Sequence, residues 1–332
     1  MLLDVSLIDG PVRMLILALG AFALAWLLSG RGRRWWLARV PLSLGIGVVA
    51  AIGLSVAVNK IWKPFPDALP AVALLWVGIL FAAGSLALLR RTSWAVKGLA
   101  MVAVGAIAVC GVAQVNQEFG TYPTMRGVLG VSLADEIDFD HVPPGRTENL
   151  VTVNAGASLD AVWSPPSDMP ENGVVTTVEI PGIVSGFRAR DAWIYLPPAY
   201  LSTPPRAQLP VLVLVPGQPG TPRDWFDGGR LNEVADAYAH DHSGLAPVVV
   251  VADSLGDQFS QPLCMDSPTA NAFTYLSVDV PPVWIETNLQ VDPDHGHWAV
   301  GGFSAGGTCA LVLGGVNAPT VYPTFVDITG GG

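Results

Sequence analysis

The segment that decides the fold is "WAVGGFSAGGTCALVL", residues 298–313, an apolar run that breaks into small residues around one serine and then becomes apolar again. Within it, Gly302 to Gly306 fits the pattern G-x-S-x-G. "HWAVG" before the serine predicts a strand and "GTCALVLGG" after it predicts a helix, which is the setting in which this pattern forms a sharp turn. The segment therefore predicts a bend that lifts the hydroxyl of Ser304 above a sheet.

The glycines of this segment have a steric reason. Ser304 must adopt a strained backbone conformation, and side chains at Gly302 and Gly306 would clash with the neighbouring strand and helix. The helix that begins at Ser304 also directs its positive end toward the reaction centre. An ordinary glycine-rich turn is the alternative, but the strand and helix on either side favour a nucleophilic serine.

Short apolar strands alternate with helical segments over the second half of the chain. The predicted strands are Val174–Ile180, Arg188–Leu196, Val211–Val215, Val248–Ala252, His297–Gly301 and Thr324–Ile328, and the predicted helices are Leu231–His240, Tyr275–Asn288 and the segment after Ser304. Continuously apolar strands separated by helices indicate a mostly parallel sheet with helices on both faces. The fold class is therefore α/β, with ligands expected at the carboxyl ends of the strands.

A nucleophilic serine creates an oxyanion, which needs two preorganised N–H donors. One predicted donor is the backbone N–H of Ala305, directly after the nucleophile. The other is assigned to the backbone N–H of Gln218, in the loop "PGQPGTPRDW" after the first central strand. Arg223, Asp224 and Trp225 close this loop, either at the border of a pocket or as a solvated start of a helix.

Four apolar stretches precede the sheet, at about 14–29, 40–58, 70–89 and 98–115, and none contains an ionisable residue. Their lengths are near the roughly 20 residues that a helix needs to cross a bilayer. Arg31, Arg33, Arg34 and Arg39 follow the first stretch, and Arg90, Arg91 and Lys97 follow the third. By the positive-inside rule these loops are cytoplasmic, so the N-terminus and everything after Val115 are predicted to be extracytoplasmic.

Charge divides the chain in the same place. Residues 1–115 carry a net charge of +7 and residues 116–332 a net charge of −17. An acidic domain argues against a nucleic-acid partner, because phosphate binding needs a basic face. We therefore expect an anchor of four transmembrane helices in residues 1–115, a juxtamembrane segment and linker in 116–172, and an extracytoplasmic domain in 173–332. Membrane lipids are the expected partners of the anchor.

Cys264 and Cys309 fall in the exported portion, where a disulfide is chemically allowed. Two buried thiols are the alternative, and sequence does not decide between them because it does not place the Cα atoms. Metal-ligand spacings such as H-E-x-x-H or paired C-x-x-C are absent from the sequence, as is a dinucleotide fingerprint. Neither a metal nor a cofactor is therefore expected.

Four segments together carry a family resemblance: "RDAWIYLPPAY", "VLVLVPGQPGTPRDW", "TYLSVDVPPVWI" and "WAVGGFSAGGTCALVL". From about Val174 onward the chain resembles the esterase D and mycobacterial mycolyltransferase branch of the α/β-hydrolases. Its multi-span anchor resembles that of actinobacterial membrane esterases. The resemblance implies serine acyl chemistry on an ester, such as a lipid or cell-envelope ester, with Ser304 as nucleophile and the amides of Ala305 and Gln218 as oxyanion donors.

The acid and the base of such a site follow the serine in chain order. All five histidines instead precede Ser304, and each is expected at the surface: His141, His240, His242, His295 and His297. Asp327 is expected to be a structural carboxylate at the end of a strand, although a displaced triad acid is the alternative, and Asp253 and Asp257 are expected to line the pocket. Without a base a serine is a weak nucleophile, so the sequence is expected to be a truncated form of a longer protein.

Two other functions are alternatives to a membrane-anchored esterase or acyltransferase. A carrier or channel is disfavoured because the apolar stretches lack the buried charges that mark transport pathways. A non-catalytic, hydrolase-like module that binds or organises the cell envelope fits the missing histidine and stays open.

Overall fold

The computed structural model describes residues 4–30, 32–65, 68–90, 93–120, 122–131, 135–143, 149–151, 153, 158–257, 260, 262–317 and 320–330. The chain divides into two compact units, Met1–Val131 and Ser132–Gly332. Arg31 and Arg91, two of the loop cations on which the predicted orientation rests, lie outside the described residues, as do parts of the predicted linker.

Four long helices make up most of the first unit. They are α1 (Gly10–Leu28), α2 (Trp35–Trp62, with π-helical ends), α3 (Ala71–Leu89) and α4 (Trp94–Phe119). Each is long and apolar enough to cross a membrane. Large apolar side chains on their outer surface are exposed, for example Phe22, Val49 and Leu88. The four predicted helices are therefore present, and they are compatible with a membrane region.

Small residues bring the helices of this unit close together. A Cβ atom at Gly47 on α2 would overlap the carbonyl oxygen of Gly78 on α3 and lie 3.1 Å from the Cβ of Ala82. A Cβ atom at Gly20 on α1 would lie 2.7 Å from the Cβ of Cys110 on α4. Close backbone approach of this kind supplies the van der Waals contact that holds helices together in an apolar surrounding.

The two ends of the bundle are closed by different contacts. At one end Ser6 and Thr124 form an antiparallel bridge, and Arg126 pairs with Asp4 at 2.8 Å. The segments before α1 and after α4 therefore leave the bundle at the same end, as an even number of crossings requires. At the other end the Nη2 of Arg90 donates to the carbonyl oxygen of Trp26 at 3.0 Å, and the guanidinium lies 4.4 Å from the centre of that indole ring.

Six strands form one mixed sheet in the second unit. They are β1 (Val174–Val178), β2 (Ala192–Leu196), β3 (Val211–Val215), β4 (Val248–Val251), β5 (Ala299–Phe303) and β6 (Thr324–Ile328), in the spatial order β1-β2-β4-β3-β5-β6. β4, β3, β5 and β6 are parallel to one another, whereas β2 is antiparallel to both β1 and β4. The prediction of a mostly parallel sheet is confirmed. The antiparallel direction of β2 brings its first residue to the same edge as the last residues of β3, β4 and β5.

Helices cover both faces of the sheet. Helix α5 (Leu231–Asp241) packs on the face that contains Leu214, Val249 and Val251. Helices α6 (residues 272–288) and α7 (residues 305–317) pack on the face that contains Val213, Val250 and Val300. Because successive side chains of a strand point to opposite faces, a strand buried on both sides is apolar at every position, as "VVVV" of β4 is.

The residues between α4 and β1 also contribute to the second unit. The N–H of Ile137 donates to the carbonyl oxygen of Val175 at 2.9 Å, and the Nε1 of Trp163 donates to that of Ser243 at 2.9 Å.

Short helical turns lie at Met125–Val128, Phe139–His141, Leu159–Val162, Pro198–Leu201, Asp224–Asp227 and His295–His297. The division into anchor, linker and domain at 115 and 172 stays a prediction.

The close approach of α2 and α3 predicts the effect of two matched substitutions. Gly47→Ala is expected to lower the thermal stability of the protein in detergent micelles, because the added methyl overlaps the Gly78 carbonyl and such overpacking costs about 1–3 kcal/mol. Gly45→Ala, on the same helix, meets nothing within 4 Å and is expected to keep or slightly raise the unfolding midpoint. Equal midpoints for the two variants would contradict the packing.

Candidate active site

The backbone bends sharply at Ser304, between the end of β5 and the start of α7. Ser304 has φ of 54° and ψ of −121°, a conformation with positive φ that is costly for a residue with a side chain. Its N–H donates to the carbonyl oxygen of Ile328 at 2.8 Å, and its own carbonyl oxygen accepts from Gly307 at 2.8 Å and from Thr308 at 3.2 Å. The strand, bend and helix predicted around this serine are present, and the residue is half-buried at the carboxyl edge of the sheet.

Gly302 and Gly306 make the bend sterically possible. A Cβ atom at Gly302 would overlap the backbone of Gly306, and a Cβ atom at Gly306 would overlap the carbonyl oxygen of Val215 on β3. Both neighbours are backbone atoms within rigid elements, so neither can move aside. Glycine at these two positions therefore lets α7 begin directly against β5 and β3.

The loop after β3 lies directly against the serine. A Cβ atom at Gly217 would lie 3.3 Å from the Cβ of Ser304 and 3.0 Å from the carbonyl oxygen of Phe303. The N–H of Gly220 donates back to the carbonyl oxygen of Gly217 at 2.8 Å, which closes a tight turn that contains Gln218. The turn and the N-terminus of α7 therefore flank the serine, the arrangement that an oxyanion site requires.

Side chains fasten this loop from several directions. The Nε2 of Gln218 donates to the carbonyl oxygen of Ser260 at 2.8 Å. The carboxylate of Asp224 accepts from the N–H of Thr221 at 2.9 Å and from its hydroxyl at 3.1 Å. The Nε of Arg223 pairs with Asp227 at 2.9 Å. Of the two roles left open for residues 223–225, these contacts support the structural one, at the start of a helical turn.

A disulfide joins the loop after β4 to the helix that carries the serine. Cys264 and Cys309 are bonded, with their Cα atoms 5.3 Å apart, and both are buried. The question that the sequence left open is thereby answered in favour of the bridge. It bonds α7 covalently to the loop after β4, and the same loop accepts the hydrogen bond of Gln218 through Ser260.

Four of the histidines lie at the amino edge of the parallel strands, away from Ser304. His295 and His297 precede β5, and His240 and His242 lie at the end of α5 before β4. The ring nitrogens of His295 and His297 lie 2.7 Å from carboxylate oxygens of Glu286 and Asp292, respectively. A ring nitrogen of His240 lies 2.8 Å from the carbonyl oxygen of Glu171, and one of His242 lies 2.7 Å from that of Tyr238. Because β5 alone spans about 17 Å at 3.3 Å per residue, none of these imidazoles faces the serine.

The fifth histidine is also distant from the serine. His141 is exposed and lies in a segment that runs along β1, four strands away from β5, or about 19 Å at 4.8 Å per strand. Pro143, two residues after His141, is near the amino edge of the parallel strands: its carbonyl oxygen accepts from the hydroxyl of Tyr200, which follows the end of β2 at that edge. The general base of a serine nucleophile is therefore not one of the five histidines.

Two acidic residues at the carboxyl edge, Asp327 and Asp253, are engaged in hydrogen bonds. Asp327 is exposed, and its Oδ1 accepts from the N–H of Gly330 at 2.7 Å, as expected for a structural carboxylate at the end of a strand. Asp253 was expected to line the pocket, and this expectation is wrong because the residue is fully buried and paired with Arg190 at 2.7 Å. Burial raises the pKa of Tyr275, whose hydroxyl donates to the carbonyl oxygen of Ile180 at 3.2 Å.

Arg190 is the residue at this edge that the sequence analysis did not single out. It lies two residues before β2, inside the segment "RARDAWIYL". Arg190 lies near the end of β4 because β2 is antiparallel to β4. The apolar periodicity of the sequence does not reveal the direction of a strand, so it does not predict this position. Among the described residues, no group of three or more His, Cys, Asp or Glu side chains is arranged to hold a metal ion.

Large apolar side chains are exposed at the same edge as Ser304. Phe303 is directly adjacent to the serine and 47% exposed. Ile183 and Val184, in the loop between β1 and β2, and Leu263 and Met265, in the loop after β4, are each more than half exposed. An apolar surface around a reactive hydroxyl is typical of a site for an apolar ligand.

A mixed sheet of this topology, with a serine on the bend after a central strand, defines an α/β-hydrolase-type domain. The family model "Esterase", described as "Putative esterase", matches residues 188–326, which contain Ser304. The "Uncharacterized protein Cgl0967/cg1104" of Corynebacterium glutamicum is 35% identical over 341 residues, covering 98% of this chain and 72% of the relative. The chain belongs to the family of this Corynebacterium protein, and its second unit is a domain of the esterase type.

Three solved structures show partial similarity to this chain. A ferulic acid esterase aligns with a TM-score of 0.43 at 20% identity, over 50% of this chain and 60% of its own. The serine hydrolase FphF of Staphylococcus aureus aligns with a TM-score of 0.38 at 12% identity, over 48% and 58%. The ferulic acid esterase AmCE1/Fae1A of Anaeromyces mucronatus aligns with a TM-score of 0.37 at 13% identity, over 54% and 62%. The chain thus spans about three fifths of the length of these structures.

The pairing of His297 with Asp292 predicts a pH dependence of stability. The hydrogen bond to Asp292 raises the pKa of His297 above its ordinary value; the nearby Asp292 and Asp294 charges raise it further, whereas burial opposes the shift. Since the folded pKa exceeds the unfolded value of about 6.5, the stabilisation is fully present below about pH 6.5 and is lost as the pH rises through the folded pKa.

His297→Gln is therefore expected to lower the free energy of unfolding more at about pH 5.5 than at about pH 8.5. The effect is small because the imidazole side chain is 61% exposed. Denaturant unfolding of the full chain in detergent at the two pH values measures it. A loss that is equal at both, or larger at the higher pH, contradicts the pairing.

Proposed function

We propose that this protein is a membrane-anchored serine esterase or acyltransferase whose nucleophile is Ser304. The observation that carries the proposal is the bend at Ser304, where the turn of Gly217 and Gln218 lies against the serine. The hydroxyl of Ser304 and the backbone N–H groups of Ala305 and Gln218 are assigned as nucleophile and oxyanion donors. These assignments agree with the strand-to-helix position of the serine and with the esterase family of the domain.

In the proposed reaction the Oγ of Ser304 attacks the carbonyl carbon of an ester and loses its proton to a general base. The carbonyl π electrons move to oxygen, and the N–H groups of Ala305 and Gln218 donate to this oxyanion. Collapse of the tetrahedral intermediate expels the alcohol, which takes the proton from the base, and leaves an acyl-serine. Water or a second alcohol then gives a proton to the base and attacks the acyl carbon, the bond from this carbon to the Oγ of Ser304 breaks, and the serine takes the proton back from the base. Attack by water gives hydrolysis, and attack by an alcohol gives transfer.

We further propose that the general base and its acid come from residues outside 1–332 of the whole protein. The placement of all five histidines at the opposite edge or beside β1 supports this, as does the engagement of Asp253 with Arg190. Without the base, residues 1–332 are expected to retain only weak reactivity at Ser304.

The proposed substrate is an ester with an apolar acyl group, such as a lipid or cell-envelope ester. The exposed side chains of Phe303, Leu263 and Met265 at the edge of Ser304 favour an apolar acyl chain. The resemblance to the esterase D and mycolyltransferase branch points in the same direction. The choice of acceptor, water or a sugar hydroxyl, is left to experiment.

The proposed location is the outer face of a cell membrane. The basic residues Arg33, Arg34, Arg39 and Arg90 at one end of the helices predict that this end is cytoplasmic, so both the N-terminus and the domain face outward. The bridge between Cys264 and Cys309 also favours an oxidising compartment, since disulfides are rare in the cytosol.

A non-catalytic module that binds envelope esters is the second candidate function. The observation that favours it is the distance of every histidine from Ser304. In such a module the bend and the apolar edge would hold an acyl ligand without cleaving it.

A fluorophosphonate probe tests the proposal, because it forms a covalent bond only with an activated serine. Three proteins are compared: the whole gene product, the chain of residues 1–332, and Ser304→Ala of the whole product. Strong labelling is expected for the whole product alone. The shorter chain should react at least about 10³-fold more slowly, because loss of the triad base costs about 10⁴- to 10⁶-fold in rate.

Ser243→Ala provides a matched control, since Ser243 also has a positive φ, of 56°, but lies before β4 at the opposite edge. Its labelling should equal that of the unmodified protein. Labelling that survives Ser304→Ala contradicts the nucleophile, and equal labelling of the shorter chain contradicts a base outside it. An unlabelled whole product favours the binding module. A membrane-impermeant form of the probe should label intact cells if the domain faces outward.

A further inference from the structure

Arg190 and Asp253 form a buried ion pair at the carboxyl edge of the sheet. The Nη2 of Arg190 donates to Oδ1 of Asp253 at 2.7 Å, and its Nε donates to Oδ2 at 3.1 Å. Asp253 is fully buried, and the Arg190 side chain is only 25% exposed. This two-pronged geometry holds the guanidinium in one orientation, which a single contact would not do.

The carboxylate of Asp253 is fully occupied by donors. Besides the guanidinium, it accepts from the backbone N–H of Arg190 at 2.9 Å, of Leu255 at 3.1 Å and of Gly256 at 2.9 Å. These bonds fasten the start of β2 to the loop after β4. Such a carboxylate is a fixed anchor, because every change in its orientation breaks several charge-assisted bonds at once.

The same guanidinium reaches the turn that lies against Ser304. The Nη2 of Arg190 donates to the carbonyl oxygen of Gly220 at 3.0 Å. The N–H of Gly220 in turn donates to the carbonyl oxygen of Gly217, where an added Cβ atom would lie 3.3 Å from the Cβ of Ser304. A chain of hydrogen bonds therefore runs from Asp253 through Arg190 to the turn that contains Gln218.

We infer that Arg190, held in place by Asp253, is a positioning residue that fixes the turn of residues 217–220 and thereby aims the N–H of Gln218 at the oxyanion. This inference rests on the proposed function of Ser304. An oxyanion donor is effective when it is already oriented before charge develops, so a loosened turn costs rate in the transition state and little affinity for the substrate. Lysine cannot replace the arginine, because an ammonium group lacks the planar fork that serves Asp253 and Gly220 together.

The kinetic test uses Arg190→Gln and Arg190→Lys in the whole protein, with a p-nitrophenyl ester as substrate. The expected result for Arg190→Gln is a fall in kcat of about 10- to 100-fold with KM within about threefold of the unmodified value. That fall is smaller than the roughly 10²- to 10³-fold loss on removing an oxyanion donor outright. Arg190→Lys should recover only part of the loss.

Asp279→Asn is the matched control for a purely structural effect. Asp279 is an equally buried carboxylate on α6, and its oxygens accept from the N–H groups of Val184 at 2.7 Å and Ser185 at 2.9 Å. This variant should lose stability but keep kcat. A drop in kcat for Asp279→Asn as large as that for Arg190→Gln would overturn the inference, and so would an unchanged kcat for Arg190→Gln.

A second measurement does not depend on turnover. Amide hydrogen exchange of peptides that cover residues 216–224 should be faster in Arg190→Gln than in the unmodified protein, and unchanged in Asp279→Asn. Unchanged exchange in Arg190→Gln overturns the inference even if the protein hydrolyses no ester. Ser304→Ala separates this inference from the proposed function. Ester turnover that survives Ser304→Ala refutes Ser304 as the nucleophile. Turnover that is lost in Ser304→Ala but unchanged in Arg190→Gln refutes only the positioning role of Arg190.

Discussion

The positive φ of Ser304 determines how the other elements of the site are arranged around it. A serine gains nothing from this conformation by itself, since positive φ costs a residue with a side chain about 1–3 kcal/mol. The surroundings hold it there: β6 accepts the serine N–H through Ile328, and α7 starts from the serine carbonyl. The backbones of Gly302 and Gly306 approach so closely that a Cβ atom at Gly302 would overlap Gly306. Strain stored in a bend of this kind is typical of a functional position, where it exposes a reactive group that a regular strand or helix would bury.

Strand direction explains why so many segments meet at this serine. The parallel strands β3, β4 and β5 deliver their carboxyl ends to one edge, and the antiparallel β2 delivers its first residues to the same edge. The turn of residues 217–220, the buried carboxylate of Asp253 and the Arg190 guanidinium therefore come together although they are distant in sequence. The disulfide between Cys264 and Cys309 also bonds the loop after β4 to the helix that begins after Ser304. A site built from several loops is rigid only if they hold each other, and here they do so through hydrogen bonds, an ion pair and a covalent bond.

The features that could be predicted from the sequence are those with a local cause. The bend at Ser304 follows from small residues between a strand pattern and a helix pattern, and the four long helices follow from apolar runs. The features that could not be predicted depend on contacts across the chain. Arg190 and Asp253 lie 63 residues apart, and their pairing needs the antiparallel direction of β2, which an apolar pattern does not encode. The same pairing explains why Asp253, which was expected to line the pocket, is buried instead. The disulfide stayed open because spacing along the chain says nothing about a Cα separation of 5.3 Å.

A crystal structure of the whole protein with a phosphonate bound covalently to Ser304 tests the central claim most directly. The phosphonyl oxygen stands in for the oxyanion of the ester. We predict positive φ at Ser304 and a phosphonyl oxygen about 2.7–3.1 Å from the backbone nitrogens of both Ala305 and Gln218. Negative φ at Ser304, or a phosphonyl oxygen that points away from the turn of residues 217–220, would contradict it.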